Sequence, residues 1–299
     1  MNASLLQEVT ALLQAEHGGA IKIRDNNSVG GGCISQAEKL TLEDGSCFFL
    51  KSHAHAPPQM FEAEAAGLKA MAAVTPPSAM TPLRIPKVLG TGTRQPFILM
   101  EFIEEGRPKP SFSADFGRQL AEFHRASQSE RFGFKMNNYI GSTPQPNPWT
   151  DRWLDFWREH RLAHQFELAR RQGLTDASFN QLADRLLQRV DDHLAAPEEK
   201  AVLMHGDLWG GNYLVDKTGH AVLIDPATYY GRREADLAMT HLFGGFDAAF
   251  YRGYEEVWPL AAGSDDRLEI YKLYHLLNHL NLFGSSYRGG CLSIMRRFA

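Results

Sequence analysis

Two short apolar runs in the C-terminal half of the chain each lead to a residue that can take part in proton transfer or bind a metal. The first run, Ala201–Met204, leads through a histidine and a glycine to Asp207, and Asn212 follows five residues later. The second run ends at Asp225. In phosphoryl-transfer enzymes an aspartate in this position accepts the proton of the attacking hydroxyl, and the following Asn and Asp hold Mg²⁺. The spacing therefore predicts ATP-dependent phosphoryl transfer, with Asp207 as the base or orienting group and with Asn212 and Asp225 as metal ligands.

A glycine-rich turn and a lysine in the N-terminal part could bind the nucleotide phosphates. Strand-like residues over 20–24 and up to Leu42 flank three consecutive glycines: Gly30, Gly31 and Gly32. Such a turn leaves backbone N–H groups open to a phosphate. It matches neither the protein-kinase glycine pattern nor the Walker A sequence, and a flexible hairpin explains it equally well. The next predicted strand, 47–51, ends in Lys51, which we expect to hold the α- and β-phosphates of ATP.

Helical periodicity over residues 59–73 selects the partner of this lysine. Glu64 lies on the apolar face of the predicted helix, whereas Glu62 lies on the other side. A carboxylate on an apolar face needs a partner because its burial without one is costly. We therefore predict an ion pair between Lys51 and Glu64. A non-catalytic nucleotide-binding scaffold is the alternative from another class of protein, but a scaffold has no need of this pair together with all three catalytic residues.

A change in composition divides the chain near residue 103. Before this point, strands are predicted at 88–90 and 97–103, after a proline-rich connector over 75–86. A polar segment begins at Glu104, and helical patterns predominate beyond it. We interpret this break as a hinge between two lobes. Backbone groups of three hinge residues are expected to hydrogen-bond the adenine edge of ATP: Glu101, Phe102 and Ile103.

Helical periodicity continues along most of the remaining chain. Helices are predicted over 4–16, 113–127, 150–172, 177–195, 235–243, 247–257, 265–282 and 286–298. Ser4 is the expected N-cap of the first helix, and His124 is expected to be a hydrogen-bonded core residue. Glu234 and Asp236 are expected to brace the catalytic loop. The polar and aromatic segment 131–149 is predicted to be a long loop, and it is a candidate wall of the acceptor site.

Composition argues against several classes of protein. The 299-residue chain is 43% hydrophobic with a net charge of −4, so nothing general favours binding to nucleic acid or to a membrane surface. No apolar run is long enough for a membrane span, and we expect no secretory signal. Three cysteines, Cys33, Cys47 and Cys291, lack disulfide or metal spacing, which favours a reducing, cytoplasmic location. Cys33 follows the glycine turn, where an accessible thiol could join two chains by a disulfide; a small neutral loop residue in a reducing cytosol explains it equally well. We therefore expect a monomer or a redox-dependent homodimer.

Beyond these patterns, the chain resembles the fructosamine/ketosamine-3-kinase family, which belongs to the aminoglycoside-phosphotransferase-like kinases of the protein-kinase-like superfamily. Four stretches carry the resemblance: His205–Asn212 (HGDLWGGN), Ile224–Ala227 (IDPA), Glu234–Met239 (EADLAM) and Leu242–Phe246 (LFGGF). Asp225 is followed by Pro-Ala instead of the Phe-Gly of protein kinases, a variant particular to ketosamine kinases. The resemblance extends over nearly the whole chain.

Together with this resemblance, the predicted elements indicate an α+β, two-lobed, protein-kinase-like fold. A small antiparallel-sheet lobe over 1–103 would bind the nucleotide, and a larger, mainly helical lobe over 104–299 would carry the catalytic and acceptor sites. The resemblance implies an enzyme that uses ATP and Mg²⁺ to phosphorylate the sugar O3 hydroxyl of ketosamines, the adducts of a sugar and an amine. Since the phosphorylated product decomposes and frees the amine, the implied role is deglycation of proteins or metabolites.

The acceptor itself is less constrained by the residues than the reaction is. Trp209, close to Asp207, suits stacking on a sugar face, and packing in the core explains it equally well. The ketosamine acceptor comes from the resemblance alone. A kinase for another small molecule, such as an aminoglycoside, choline or homoserine, is therefore the alternative enzyme.

Overall fold

The computed structural model of the protein describes residues 2–30, 35–76 and 83–299. Gly31, Gly32 and Cys33 lie outside these ranges, so the predictions for the glycine turn and for the Cys33 thiol stay predictions. The proline-rich connector is described only at its two ends.

An antiparallel five-stranded sheet forms the smaller lobe. Its strands are β1 (Ile23–Ser28), β2 (Gln36–Leu42), β3 (Cys47–Ser52), β4 (Val88–Thr91) and β5 (Phe97–Glu101). They are hydrogen-bonded in the order β1-β2-β3-β5-β4. Two helices pack on the sheet: α1 (Ala3–His17) and α2 (Met60–Ala72).

Strand β5 lies between these two helices. Phe97 and Leu99 pack in a cluster with side chains of α1, whereas Ile98 and Met100 pack in a cluster with side chains of α2. Successive side chains of a strand point to opposite faces of the sheet. Both faces of β5 are therefore buried, which explains why its sequence is continuously apolar instead of alternating.

Two boundaries in this lobe differ from the predictions. Asn2, and not Ser4, caps helix α1: its Oδ1 accepts a backbone N–H of the first turn at 2.9 Å. Ser4 lies inside the helix, so the predicted cap is wrong. Strand β1 begins and ends later than predicted, because it is a mostly exposed edge strand of polar residues and has no apolar alternation to mark it.

The larger lobe is mainly helical. Its α-helices are α3 (Phe112–Ala126), α4 (Trp153–Trp157), α5 (His164–Arg171), α6 (Ala177–His193), α7 (Arg233–Thr240), α8 (Ala248–Val257), α9 (Ser264–Phe283) and α10 (Arg288–Phe298). Its short strands are β6 (Gln128–Ser129), β7 (Asn138–Ile140), β8 (Thr143–Gln145), β9 (Ala201–Met204), β10 (Tyr213–Val215), β11 (Ala221–Leu223) and β12 (Tyr229–Gly231). The strands pair as β12-β9-β6, β7-β8 and β10-β11. The predicted two-lobed α+β fold is confirmed. No helix in the described ranges has the length and apolar character needed to cross a membrane.

The segment 131–149 is not the structureless loop that was predicted. Strands β7 and β8 form a hairpin within it. Buried amide side chains hold the hairpin together, since Gln145 donates to the Oδ1 of Asn138 at 2.7 Å and Asn147 donates to the same oxygen at 2.8 Å. The sequence of this segment does not predict these strands, because they are short and their inward side chains are polar.

The single helix predicted over 150–172 is interrupted. A π-helix, Arg158–Ala163, separates α4 from α5. Within it Arg161 is fully buried, with its guanidinium 3.9 Å from the ring centroid of Tyr229 and 2.6 Å from the Oδ1 of Asn147. Periodicity alone does not reveal such a turn, because the wider turn is stabilised by contacts with distant residues.

Smaller differences affect the last helices. Helix α7 begins at Arg233 and ends at Thr240, earlier than the predicted 235–243. A 3₁₀ turn, Ser285–Tyr287, precedes α10.

Polar contacts join the lobes close to the predicted boundary. Arg84, from the connector, binds the carboxylate of Glu101 and also that of Asp216, the latter at 2.8 Å. Lys217 pairs with Glu104 at 3.1 Å. The division at residues 103 and 104 stays a prediction, and these contacts connect the two sides of it.

Candidate active site

Strand β9 delivers the catalytic loop to the centre of the molecule. It is the middle strand of its sheet and all four of its residues are buried. Asp207 follows it after a sharp turn at Gly206, where φ is 82°. Asn212 donates from Nδ2 to the backbone carbonyl of Asp207 at 2.8 Å and to its Oδ2 at 3.1 Å. The two residues that the sequence placed five apart are therefore in direct contact.

Asp236 braces this loop, as predicted. Its carboxylate accepts the backbone N–H groups of His205 and Gly206, both at 2.7 Å, and the Nε2–H of His124 at 3.2 Å. Burial works against its charge, but these hydrogen bonds and charges outweigh it and lower the pKa of Asp236. His124 is the satisfied core histidine that was expected. Glu234 does not brace the loop: it pairs with Arg267 at 2.6 Å, and that part of the prediction is wrong.

The β10–β11 hairpin positions Asp225 beside Asn212. The N–H of Ile224 donates to the carbonyl of Asn212 at 3.1 Å, and the Nε2–H of His205 donates to the carbonyl of Ile224 at 2.8 Å. Asp225 has φ 54°, a left-handed conformation that is rare outside glycine and recurs at functional sites. This backbone turn directs the side chain towards the smaller lobe.

Lys51 bridges the two lobes. Its Nζ lies 3.0 Å from an oxygen of Glu64 and 3.0 Å from the Oδ1 of Asp225. Glu64 is buried and Glu62 is exposed, as helical phase predicted. Burial disfavours the ammonium charge, yet the two carboxylates raise the pKa of Lys51. The lysine is therefore charged at neutral pH and fixed between two anions.

His275, on helix α9, is a residue that the sequence patterns did not single out. Its Nδ1 lies 4.0 Å from the Oδ1 of Asp207, and this nitrogen has no hydrogen-bond partner among the described residues. Burial lowers the pKa of His275 to about 3, so the ring is neutral. Burial also raises the pKa of Asp207 to about 7, against the hydrogen bond from Asn212. Helical periodicity predicts that His275 is buried, but no sequence pattern predicts its contact with Asp207.

A cavity of about 340 Å³ contains these groups. From the smaller lobe it is lined by Ser35, Ala37, Phe49, Lys51, Met60 and Glu64. From the larger lobe it is lined by Asn138, Tyr139, Gly141, Asp207, Trp209, Gly211, Asn212, Asp225, Pro226, Asn278, His279, Leu282 and Phe283. The tip of the β7–β8 hairpin thus forms part of the cavity wall, and the prediction that segment 131–149 contacts the acceptor stays a prediction.

Trp209 lies on this wall and is half-buried. Gly211 makes its position possible, because a Cβ there would approach the indole to 2.4 Å. The predicted stacking of Trp209 on a sugar stays a prediction.

The three predicted hinge residues, Glu101, Phe102 and Ile103, are not among the residues that line this cavity. The N–H of Glu101 donates to the carbonyl of Lys87 at 2.8 Å, and its carboxylate accepts the N–H of Lys87 at 3.2 Å. Glu101 therefore has no free N–H for a nucleotide. Phe102 and Ile103 follow it outside the strand, and the ammonium of Lys39 lies 4.4 Å from the ring centroid of Phe102.

Oxygen atoms of two residues suit a magnesium ion. The Nδ2 of Asn212 is bonded to Asp207, which leaves its Oδ1 for a ligand, and Lys51 binds only the Oδ1 of Asp225, which leaves the Oδ2. Mg²⁺ is commonly held by one or two protein oxygens together with substrate phosphates. The described residues contain no cluster of three or more His, Cys, Asp or Glu that could bind a metal without such a substrate.

Comparison with known proteins assigns the chain to a family. The fructosamine kinase family model matches residues 5–299. A probable ketoamine kinase of Synechocystis is 42% identical, covering 94% of this chain and 92% of that protein. The chloroplastic protein-ribulosamine 3-kinase of Arabidopsis thaliana is 42% identical, covering 93% and 83%. The crystal structure of a candidate fructosamine-3-kinase of Thermobifida fusca superposes with a TM-score of 0.84 at 33% identity, covering 96% and 97%. The resemblance found in the motifs is confirmed, and the chain belongs to the fructosamine kinase family.

Proposed function

We propose that the protein transfers the γ-phosphoryl group of ATP to the O3 hydroxyl of a ketosamine of the fructosamine or ribulosamine type. The observation that carries the proposal is two sets of contacts along one cavity: Lys51 with Glu64 and Asp225, and Asn212 with Asp207. Family membership and the ribulosamine kinase among the relatives support the acceptor. The phosphorylated product decomposes and frees the amine, so the reaction would lead to deglycation.

The nucleotide side of the site uses the smaller lobe. Lys51, held by Glu64, binds the α- and β-phosphates. The backbone of Gly30, Gly31 and Gly32 covers the phosphates, and the carbonyl of Glu101 with the backbone of Phe102 and Ile103 binds the adenine edge. This assigns residues 1–103 to nucleotide binding and 104–299 to catalysis and acceptor binding.

Asn212 and Asp225 would hold Mg²⁺, since each has a side-chain oxygen without a partner among the described residues. When bound, the ion supplies positive charge next to the phosphates. Lys51, 3.0 Å from Asp225, adds a second positive charge on the same side of the cavity. These fixed charges favour the transition state, in which negative charge spreads over the transferring group.

Asp207 orients the acceptor hydroxyl and takes its proton. The carboxylate is held by Asn212 on one side, and the backbone that carries it is held by Asp236. Trp209 stacks on the sugar face, and Tyr139 of the β7–β8 hairpin lines the same cavity. The Tyr139 hydroxyl donates to the carbonyl of Pro58 at 3.0 Å, so this wall also connects the lobes.

The sequence also bears on the cellular location of the enzyme and on its binding partner. Cysteines without disulfide spacing support a cytoplasmic location. The net charge of −4 gives no general reason to bind nucleic acid or a membrane surface, and we infer a small-molecule or protein-bound ketosamine as the partner.

An acceptor panel tests the proposal. ATP turnover is measured with a ribulosamine, a fructosamine, kanamycin, choline and homoserine, and phosphorus NMR locates the phosphate. We expect phosphate at O3 of the ketosamines and no turnover with the other three. Efficient phosphorylation of an amino alcohol with none of the ketosamines would assign the protein to the alternative class.

Substitution of the proposed base tests the mechanism. Asp207→Asn keeps the size of the side chain and removes its charge, so turnover should fall by about 2 to 4 powers of ten while ATP binding is retained. Asp192→Asn, an exposed aspartate on α6, is the control and should be unchanged. An Asp207→Asn enzyme with more than about a tenth of normal turnover would exclude this role.

A further inference from the structure

Four aromatic side chains form a continuous surface beside the catalytic cavity, which we call the aromatic rim: Phe243, His279, Phe283 and Tyr287. His279 is at its centre, with ring centroids 4.4 Å from Phe243, 5.4 Å from Phe283 and 5.1 Å from Tyr287. His279 and Phe283 also line the cavity that contains Asp207. The aromatic rim is therefore an extension of the cavity wall.

The aromatic rim exposes more apolar surface than packing requires. Phe243 is 42% exposed and Phe283 is 51% exposed. Only two other large apolar side chains in the described ranges are exposed, Leu6 and Trp149, and neither lines this cavity. A grouped, exposed apolar surface at the mouth of a pocket is typical of a binding site.

Phe243 has a strained backbone conformation. Its φ is 54°, and the two glycines that follow, Gly244 and Gly245, have φ values of 102° and 68°. A left-handed conformation is unfavourable for a bulky residue, and such strain is found mainly where the surrounding structure enforces it at a functional site. The conformation sets the Phe243 ring edge-on to Trp209, with centroids 6.2 Å apart. The aromatic surface is thus continuous from the catalytic loop to the cavity mouth.

The charges around the aromatic rim favour a cation. Arg288, next to Tyr287 in the chain, is directed away: it binds Asp176 at 2.5 Å. No lysine or arginine of the described residues stacks on a ring of the aromatic rim. Aromatic faces attract cations, and the carboxylate of Asp207 lines the same cavity. A ligand whose positive charge lies near the mouth therefore matches both features.

We propose that the aromatic rim binds the amine-bearing side of the ketosamine, namely its protonated amino group and the apolar stem that carries it. This inference rests on the proposed function. In a ketosamine the amine is bonded to C1, two carbons from the C3 whose hydroxyl receives the phosphate. With that hydroxyl at Asp207, the amine lies a short distance away along the cavity wall. Trp209 then contacts the sugar, and the aromatic rim contacts the amine and its stem.

A pair of matched acceptors tests this assignment. One is fructose joined through its C1 amine to a hexyl chain, and the other is the same sugar joined to the same chain through an ether oxygen, which has no charge. We expect the wild type to prefer the amine in kcat/KM. Phe283→Leu keeps the apolar bulk and removes the π face, so the preference should fall about 2- to 5-fold. Combined with Phe243→Leu, the preference should fall about 5- to 20-fold.

Two controls separate this effect from general damage. Phe283→Tyr keeps an aromatic face and should retain the preference for the amine. Leu6→Ala truncates another exposed apolar side chain, on α1, and should leave kcat/KM for both acceptors unchanged. In all variants the KM for ATP should stay at the wild-type value, because the aromatic rim lies on the acceptor side.

The outcomes distinguish failure of the proposed function from failure of the role assigned to the aromatic rim. If the wild type phosphorylates neither fructosamine nor ribulosamine, the proposed function itself fails. If it phosphorylates them, but Phe283→Leu lowers the amine and ether acceptors equally or leaves both unchanged, the aromatic rim does not recognise the amine and the inference is overturned. Loss of the preference in Phe283→Tyr as well would also contradict recognition through the π face.

Discussion

The ion pair between Lys51 and Glu64 offers a quantitative test, because the chain contains its own control two residues away. Glu64→Gln removes one of the two carboxylates that lie 3.0 Å from the Lys51 ammonium and keeps the shape of the side chain. Glu62→Gln makes the same chemical change on the exposed face of the same helix. A difference between the two variants therefore reports the buried contact and not helix propensity or net charge.

The geometry sets the size of the effect. Leaving a buried charge with no partner costs about 3 to 5 kcal/mol. Lys51 keeps Asp225 in the Glu64→Gln variant, so the loss of folding stability should be smaller, at about 1 to 2 kcal/mol. Catalysis should suffer more, because the ammonium then moves towards Asp225 and away from the phosphates. We expect kcat/KM for ATP to fall about 10- to 100-fold, which corresponds to about 1.4 to 2.7 kcal/mol of transition-state stabilisation.

The assay measures kcat and KM for ATP at saturating ketosamine, together with the free energy of unfolding in urea. Glu62→Gln should stay within about twofold of the wild type in both measurements, as is usual for an exposed substitution. If Glu62→Gln impairs kcat/KM as much as Glu64→Gln, Glu64 is not the residue that positions Lys51 for the nucleotide.

Three further predictions follow from other parts of the structure. Asp236→Asn removes the charge that binds two backbone N–H groups of the catalytic loop, so turnover should fall at least about tenfold. Asp216→Asn, also buried, should lower thermal stability but leave turnover within about threefold. Equal losses of turnover would contradict the bracing role. Gly67→Ala would bring a Cβ to 2.8 Å from the Oγ1 of Thr228, so we expect a higher KM for ATP and a melting temperature lower by a few degrees, about 1 kcal/mol. Finally, peroxide should produce a dithiothreitol-sensitive dimer on non-reducing gels with the wild type and not with Cys33→Ala. A wild type that stays monomeric and fully active after peroxide would rule this out.

The sequence alone was enough to select the residues that we propose carry the chemistry. Asp207, Asn212 and Asp225 were identified because their order and spacing match the needs of phosphoryl transfer, and these constraints are local in the chain. Helical phase was enough to choose Glu64 over Glu62, since a periodic pattern states which face of a helix is buried. The sequence also predicted a sheet lobe followed by a helical lobe, because strand-like patterns give way to helical patterns along the chain.

Only the tertiary structure decided how these residues meet. The contact between Lys51 and Asp225 joins positions 174 residues apart, and no local pattern encodes it. His275 lies beside Asp207 because α9 packs against the catalytic loop, although its sequence looks like that of any buried helix. The π-helix around Arg161 and the hairpin at Asn138 depend on polar side chains that are satisfied by distant backbone groups. Periodicity reports which side of an element is buried, and the partner across the core is set by how all elements pack together.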